Sequence, residues 1–229
     1  MEKSLVVEFQ GGSAAKKTAG FLARPKNAGR YPAVIVIHEI WGVVDHIKDV
    51  SRRLASEGYV ALAVDLFGKT VSSLEEGRKL REGLSEDQIM GDLEGAFKYL
   101  QSLGYVQPKR IGSVGFCMGG GLSLLLACHN KELAAAVIFY GRNPTPIDLV
   151  KNIQCPILGN YAGADMAIKE ADIDLLKETL KKYGKVFDIR IYPGAPHAFF
   201  NDTRESYRLD AAKDAWKRTL DFYNRYLKT

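Results

Sequence analysis

The sequence predicts an α/β fold: a mostly parallel central sheet of about eight strands, with helices on both faces and an antiparallel hairpin at its N-terminal edge. Three observations support this prediction. Apolar strand-like runs alternate with amphipathic helix-like segments through most of the 229 residues. The middle runs are apolar throughout, which is typical of strands covered on both faces. A polar stretch rich in Gly and Lys separates the first two runs, as in a hairpin.

The strand candidates are short runs rich in aliphatic and aromatic residues. In chain order they are Leu5–Phe9, Gly20–Pro25, Ala33–His38, Tyr59–Asp65, Arg110–Phe116, Ala134–Gly141, Cys155–Gly163 and Phe187–Gly194. The helix candidates are Asp45–Glu57, Gln88–Ser102, Leu122–Asn130, Glu170–Tyr183 and Tyr207–Leu227. No repeat, low-complexity tract or linker divides the chain, so residues 1–229 are predicted to form a single domain.

The charged segment from residue 66 to 91 interrupts this regular alternation. It contains several glycines and no strand candidate. It leaves the carboxyl end of a strand, which is where ligands bind in open α/β sheets. A segment of this length at such a place is predicted to be a lid or part of a binding wall, and a plain surface excursion is the alternative.

The composition narrows the class of protein. A hydrophobic content of 46% is enough for one substantial core. The 32 basic and 27 acidic residues give a net charge of +5, but the two signs are interleaved, so no nucleic-acid partner is expected. No run approaches the ~18 apolar residues that a membrane span needs, and the first residues lack the layout of a signal peptide. A cytoplasmic protein without membrane binding is therefore expected.

The stretch from Gly115 to Gly119 carries the strongest chemical signal. Cys117 lies at the turn between a buried strand and an apolar helix. A thiol there could be a redox group, a metal ligand, a nucleophile or plain filler, and the lack of a C-x-x-C pair argues against the first two. The flanking glycines match the G-x-nucleophile-x-G pattern, in which small residues let strand and helix approach around a strained nucleophile. A cysteine nucleophile is therefore predicted.

A base and an orienting carboxylate have candidates on later loops. Of the four histidines, His197 lies in a loop directly after the last strand. Asp165 lies in the loop after the preceding strand. The order Cys117, Asp165, His197, each after a strand, is that of the α/β-hydrolase triad. The alternatives are a helix N-cap for Asp165 and a surface loop for His197.

Glu39 interrupts the apolar end of the third strand, in the stretch "VIHEIWG". A carboxylate is costly to bury unless it is paired. This position follows the strand from which the α/β-hydrolase fold draws one of its two oxyanion-hole amides. The alternative is a loop carboxylate that faces water.

The motifs "HEIWG", "GFCMGG", "AGAD" and "PHAFFND" together resemble those of the dienelactone hydrolase (carboxymethylenebutenolidase) family, from roughly Tyr31 to the C-terminus. The resemblance implies an α/β-hydrolase fold and an enzyme that cleaves a small lactone or carboxylic ester. It also implies a monomer or a weak homodimer. The sequence offers no support for a metal or an organic cofactor, and the glycines of "GFCMGGG" fit neither a P-loop nor a dinucleotide fingerprint, so no cofactor is expected.

The resemblance further implies a role for each triad residue. Cys117 would attack the carbonyl carbon and form an acyl-enzyme. His197 would act as general base and then as general acid, and Asp165 would orient the imidazole.

The resemblance also implies that the backbone amides of Ile40 and Met118 form the oxyanion hole. Glu39 would pair with the resting thiol and help to remove its proton when substrate arrives. Such a device suits a thiol, because the thiolate is the reactive form.

Residues that bind the substrate are predicted from the same resemblance. Well-known members bind a dienelactone carboxylate with two arginines, one of them four residues after the catalytic histidine, where this chain has Asn201. The other would be Arg78 or Arg81, which lie three residues apart on a candidate helix face. The predicted aromatic lining consists of Trp41, Tyr140 and Phe199, with a core position as the alternative for Tyr140.

Two other functions stay open at this point. One is a non-catalytic protein of α/β-hydrolase fold that binds a ligand or senses oxidants through Cys117. The other is a peptidase with the same nucleophile. For a hydrolase, the substrate could be a dienelactone, another lactone, an ester or a thioester.

Overall fold

The computed structural model describes residues 2–12 and 17–229. The chain falls into two compact units, Met1–Ile111 and Gly112–Thr229. Eight strands form one sheet in the order β1-β2-β4-β3-β5-β6-β7-β8. They are β1 (Glu2–Gln10), β2 (Lys17–Pro25), β3 (Tyr31–Ile37), β4 (Val60–Asp65), β5 (Val106–Phe116), β6 (Ala135–Phe139), β7 (Ile157–Ala162) and β8 (Phe187–Tyr192). The helices are α1 (Asp45–Ser56), α2 (Leu74–Glu82), α3 (Glu86–Ser102), α4 (Met118–His129), α5 (Glu170–Lys182) and α6 (Leu209–Leu227).

The first unit contains the antiparallel edge of the sheet. β1 pairs antiparallel with β2, and β2 pairs antiparallel with β4, whereas β3 and β4 are parallel. The predicted edge hairpin is confirmed, although residues 13–16 of its connection lie outside the described residues. α1 packs against β2 and β4, and α3 packs against β1, β3 and β4. Residues 33–37 of β3 are fully buried, as the uninterrupted apolar run predicts.

The second unit is built on parallel strands. β5 pairs with β6, β6 with β7, and β7 with β8, all in parallel. α4 packs on β6 and is apolar on every side, which is typical of a helix covered all round. α6 packs on β6 and β7, and the Tyr223 hydroxyl at its buried face donates to the carbonyl of Ser113 at 2.7 Å. The four parallel strands β5 to β8 therefore present their carboxyl ends, and the loops that follow, at one edge of this unit.

The predicted fold class is confirmed, and the differences lie at the ends of strands and helices. The strand β5, for example, begins at Val106 and not at the predicted Arg110. α2 occupies part of the segment 66–91, where no helix is predicted with defined ends. Its N-cap is Ser73, whose hydroxyl accepts the backbone N–H of Glu76. α3 begins two residues before the predicted start, because Ser85 and Gln88 form a capping box. Across the described residues, none of the helices has both the length and the apolar character for a membrane crossing.

Candidate active site

Cys117 occupies a strained turn between β5 and α4. Its backbone has a φ of 55° and a ψ of −114°, a conformation that L-residues rarely adopt. Glycine is required nearby, because a Cβ on Gly115 would lie 1.8 Å from the carbonyl oxygen of Gly119. A Cβ on Gly120 would lie 2.5 Å from the carbonyl oxygen of Phe139. Strand and helix thus approach more closely than side chains allow, which lifts the thiol to the tip of the turn.

The backbone around the thiol is held by its neighbours in the same unit. The N–H of Cys117 donates to the carbonyl of Phe139 at 3.0 Å, and the Cys117 carbonyl accepts the N–H of Gly120 at 3.0 Å. Met118 is the first residue of α4, so its N–H is one of the groups that an α-helix leaves without an intrahelical partner. The positive end of the helix dipole lies at the same place. The turn therefore combines a thiol with a donor suited to a developing negative charge.

Asp165 and His197 are joined by a short hydrogen bond. His197 Nδ1 donates to Asp165 Oδ2 at 2.6 Å. The other carboxylate oxygen, Oδ1, accepts the N–H groups of Ala167 at 2.7 Å and Ile168 at 3.1 Å. The N-cap of α5 is Lys169, so the alternative role of Asp165 as the cap of that helix is wrong. The Asp165 side chain is 1% exposed and that of His197 is 30% exposed, which leaves the imidazole reachable.

The Cys117 side chain also lies near enough to the His197 imidazole to raise its pKa. Burial alone lowers the pKa of His197 and is the largest single influence on it. The hydrogen bond to Asp165, the interaction with the Cys117 side chain and the charge of the Asp165 carboxylate outweigh burial and raise this pKa to about 10. Burial likewise raises the pKa of Asp165, but the hydrogen bonds from His197 and Ala167 prevail and hold it below its usual value. The Asp165 carboxylate therefore stabilises a positive charge on the imidazole of His197.

Aromatic side chains surround the imidazole. The ring of Tyr140, a residue with φ of 40°, lies 5.0 Å from the ring of His197 and 5.5 Å from that of Phe199. Phe199 in turn lies 5.0 Å from the ring of Tyr192. Tyr140 and Phe199 are both fully buried, which fits the core position considered for Tyr140. Substrate contact by these two side chains stays a prediction.

Asn201, at the place of the family's second arginine, is 1% exposed. Its Oδ1 accepts the N–H of Thr203 at 3.1 Å and the Thr203 hydroxyl at 2.7 Å. These bonds shape the turn that follows the histidine loop. A role for Asn201 in substrate binding stays a prediction.

The residues predicted around "HEIWG" lie in the first unit. Glu39 is 2% exposed, so the alternative of a carboxylate facing water is wrong. Ile40 and Trp41 are partly exposed and belong to the turn after β3. The carbonyl of Trp41 accepts the N–H of Val71 at 3.1 Å, which ties this turn to the segment after β4.

The segment 66–91 packs on that same turn. A Cβ on Gly77 in α2 would lie 2.5 Å from the carbonyl oxygen of Ile40, so α2 and the turn are in direct contact. Arg78 is exposed on α2, and Arg81 is partly exposed with a guanidinium that donates to the carbonyl of Leu84 at 3.1 Å. Among the ion pairs of the described residues, those near α2 involve Lys69 and Lys79. None of them joins Arg78 or Arg81 to a carboxylate that would hold the arginine away from a ligand. Their role in binding a carboxylate stays a prediction.

The structure thus brings together Cys117, Met118, Asp165, His197 and Tyr140 in one unit, and Ile40, Trp41 and α2 in the other. His38 carries no sequence signal for a role beyond its place before Glu39, yet it is fully buried between two loops. A buried histidine at a strand end beside a predicted oxyanion amide is the signal that could have found it.

Comparison with known protein families identifies the family of this chain. The model of the family described as "Dienelactone hydrolase family" matches residues 18–227. The chain belongs to this family. A relative in Saccharolobus solfataricus, named "Putative carboxymethylenebutenolidase", is 40% identical, with 100% of both chains covered. A relative of the same name in Synechocystis sp. PCC 6803 is 38% identical, with 92% of each chain covered.

A solved member of the family has the same fold. The crystal structure described as "Putative Dienelactone Hydrolase" from Klebsiella pneumoniae covers 98% of this chain and is itself covered in full, with 32% identity and a TM-score of 0.90. The predicted family, the α/β-hydrolase fold and the class of dienelactone hydrolase-like enzymes are therefore confirmed. The particular nucleophile and its partners rest on the geometry above.

Proposed function

We propose that this dienelactone hydrolase family member cleaves a small lactone or carboxylic ester by cysteine catalysis through an acyl-enzyme. The observation that carries the proposal is the hydrogen bond between His197 and Asp165, with the Cys117 thiol at a strained turn and near enough to the imidazole to raise the pKa of His197. The names of the relatives at 40% and 38% identity support the substrate class, since carboxymethylenebutenolidases cleave a lactone.

In the first half-reaction, the Cys117 sulfur attacks the carbonyl carbon as a thiolate, and the carbonyl oxygen becomes an oxyanion. His197 holds the thiol proton on Nε2, the nitrogen not bonded to Asp165. Collapse of the intermediate breaks the bond between the carbonyl carbon and the ester oxygen, and His197 gives its proton to that oxygen. In a lactone the released alcohol stays attached to the acyl chain.

In the second half-reaction, water attacks the thioester while His197 Nε2 takes its proton. The carbon–sulfur bond then breaks, which releases the carboxylic acid, and the departing sulfur takes the proton from His197 Nε2, which restores the thiol. Asp165 keeps Nδ1 protonated throughout, so the same imidazole serves as acid and then as base. A thiol proton leaves more easily than a hydroxyl proton, which suits this cycle.

The oxyanion would be bound by the backbone amides of Met118 and Ile40. The position of Met118 as the first residue of α4 supports its part. Removal of one such donor costs roughly 100- to 1,000-fold in kcat in enzymes of this kind. Glu39 would restrain thiolate formation until substrate arrives, and its burial supports a role inside the site over a place on the surface.

The substrate would lie against Trp41, with Tyr140 and Phe199 behind the imidazole. Arg78 or Arg81 would bind a carboxylate of the substrate, and Asn201 would contribute on the side of the histidine loop. The contact between α2 and the turn that carries Ile40 supports a wall made by the segment 66–91.

The deciding experiment compares turnover of p-nitrophenyl acetate by the wild type with Cys117→Ala and His197→Ala. Both variants are expected to lose at least about 1,000-fold in kcat/KM, because each removes a group that reacts directly. Intact mass spectrometry during turnover of the wild type should show an acyl group on Cys117. A Cys128→Ala variant is the matched control, since this thiol is buried away from the elbow, and it should keep its rate.

Near-wild-type turnover by both active-site variants would exclude the proposal and favour a binding or sensor protein.

Two further comparisons of variants refine the proposal. Glu39→Gln should speed the alkylation of Cys117 by iodoacetamide in the absence of substrate. Arg81→Gln and Arg78→Gln, assayed on lactones with and without a carboxylate, show which arginine sets the preference for the charged substrate.

A further inference from the structure

His38 links the two loops that follow β3 and β4. It is fully buried, and its ring packs edge-on against Phe67 with the centroids 4.9 Å apart. The Nε2 atom accepts the N–H of Leu66 at 3.3 Å. The Nδ1 atom is hydrogen-bonded to the carbonyl oxygen of Glu39. One imidazole therefore joins the turn that carries Ile40 to the start of the segment 66–91.

These two bonds define the protonation state of the ring. The N–H of Leu66 can only donate, so Nε2 must be without a proton, and the carbonyl of Glu39 can only accept, so Nδ1 must carry one. Only the neutral Nδ1–H tautomer satisfies both partners. Burial favours this form because it lowers the pKa of His38, although the bond to Glu39 and the charge of Asp65 act in the opposite direction. The Asp65 carboxylate itself accepts the N–H groups of Phe67 and Gly68.

The bond to Glu39 has a consequence for Ile40. The carbonyl of Glu39 and the N–H of Ile40 belong to one peptide group, which is planar and trans, so the two bonds point in opposite directions. A partner that holds the carbonyl on one side fixes the N–H on the other side. The Trp41–Gly42 peptide, two further along the turn, is anchored as well, because the Trp41 carbonyl accepts the N–H of Val71.

We infer that His38 is a positioning residue that orients the Glu39–Ile40 peptide and, through it, the Ile40 amide of the oxyanion hole. The inference rests on the proposed function, in which that amide binds the oxyanion. Without the Nδ1–H donor, the peptide can rotate and turn the Ile40 N–H away. The loss falls on the transition state, because the charge that this amide binds develops only there.

The test uses the intact enzyme with three variants. His38→Leu removes both hydrogen bonds of the ring. His38→Asn restores a donor, because the Asn amide nitrogen lies as many bonds from Cα as Nδ1 does, but it leaves the N–H of Leu66 without its acceptor. His46→Leu is the matched control, since it removes another buried histidine that belongs to α1.

With p-nitrophenyl acetate, kcat should fall about 100-fold or more in His38→Leu with KM changed less than about threefold, and His38→Asn should recover most of this loss. The His46→Leu control should stay within about threefold of the wild type in kcat. Alkylation of Cys117 by iodoacetamide should keep its rate in all three variants, because displacement at a saturated carbon forms no oxyanion. Melting temperatures should fall alike in the two His38 variants.

Equal kcat losses in His38→Leu and His38→Asn, or alkylation that slows in step with kcat, would overturn the inference and assign His38 to general packing. An unchanged kcat in His38→Leu would also overturn it. Failure of the proposed function would be a separate result. It would appear as activity in Cys117→Ala, whatever the His38 variants show.

Discussion

The two oxygens of the Asp165 carboxylate bind different partners, one in the loop after β7 and the other the imidazole of His197, its proposed catalytic partner. Oδ1 accepts two backbone N–H groups and shapes the loop after β7, whereas Oδ2 holds His197 Nδ1. The sequence also allowed a local capping role for Asp165. Part of that role is present, but Oδ1 caps a turn and not the N-terminus of α5. Because each oxygen has its own partners, the two functions can be separated by substitution.

Asp165→Asn should remove the chemistry and keep the turn. Its amide oxygen can still accept from Ala167 and Ile168, but its NH₂ group opposes the Nδ1–H of His197, so the imidazole loses its orientation and its charge partner. We expect kcat/KM to fall about 1,000-fold or more, with a free energy of unfolding within about 1 kcal/mol of the wild type.

Asp165→Ala is the matched comparison, since it also leaves the two N–H groups without their acceptor. Its activity should be as low as that of Asp165→Asn, and it should lose roughly a further 1–3 kcal/mol of stability in urea unfolding. Equal stability of the two variants would contradict the structural role of Oδ1.

At the scale of elements, the close approach of β5 and α4 creates the site. The strand ends at Phe116, the helix begins at Met118, and the single residue between them carries the strain. The distance between β5 and α4 is set by Gly115. A methyl group on this residue would meet backbone atoms and not a movable side chain. The turn at Cys117 therefore depends on the lack of a side chain at Gly115 as much as on the thiol.

Gly115→Ala should destabilise the chain by about 3 kcal/mol, because the strand cannot move without breaking its parallel pairing with β6 and the Gly119 carbonyl cannot move without distorting the first turn of α4. A change this large would lower activity even where the variant folds, since Cys117 would shift. Gly104→Ala is the control, because nothing lies within 4 Å of its Cβ position, and it should change stability by less than about 0.5 kcal/mol. Urea unfolding of both variants measures the difference, and similar values for the two would contradict the steric argument.

Periodicity and motif order predict the elements well and their contacts less well. The eight strands and the order Cys117, Asp165, His197 follow from local patterns that each element carries in its own residues. The helix α2 has a local signal as well, the Ser73 cap with Glu76, but its charged sequence offers no apolar stripe to mark its length. The role of His38 and the turn bonds of Asn201 depend on partners that no spacing rule identifies.

At the scale of the whole molecule, the buried ionisable groups outside the site set how stability depends on pH. Cys128 and Cys155 are 4% and 6% exposed, as expected for small buried hydrophobes. Burial raises the pKa of Cys128 to about 12, with the nearby Cys155 adding to the effect and Lys185 opposing it. Burial raises the pKa of Cys155 to about 12 as well. Over the pH range in which both thiols ionise in the unfolded chain, they therefore stay neutral in the folded chain.

These two thiols should make the chain lose stability in alkali. Between the ordinary thiol pKa of 9.0 and about 12, the unfolded chain has released the two protons and the folded chain has not, so stability falls as pH rises. Each thiol contributes a slope of about 1.4 kcal/mol per pH unit over this window, and below pH 9 the two add no slope.

The double variant Cys128→Ala/Cys155→Ala should therefore be less stable than the wild type at pH 8, because it loses buried volume, yet its stability should decline less steeply from pH 9.5 to 11. The slopes should differ by about 2.7 kcal/mol per pH unit in urea unfolding curves. Val150→Ala, which also removes buried atoms but no ionisable group, should lower stability by a constant amount and keep the wild-type slope. Parallel curves for the wild type and the double variant would mean that the thiols ionise inside the folded chain, and hence that water reaches the interior beside α4 well before unfolding.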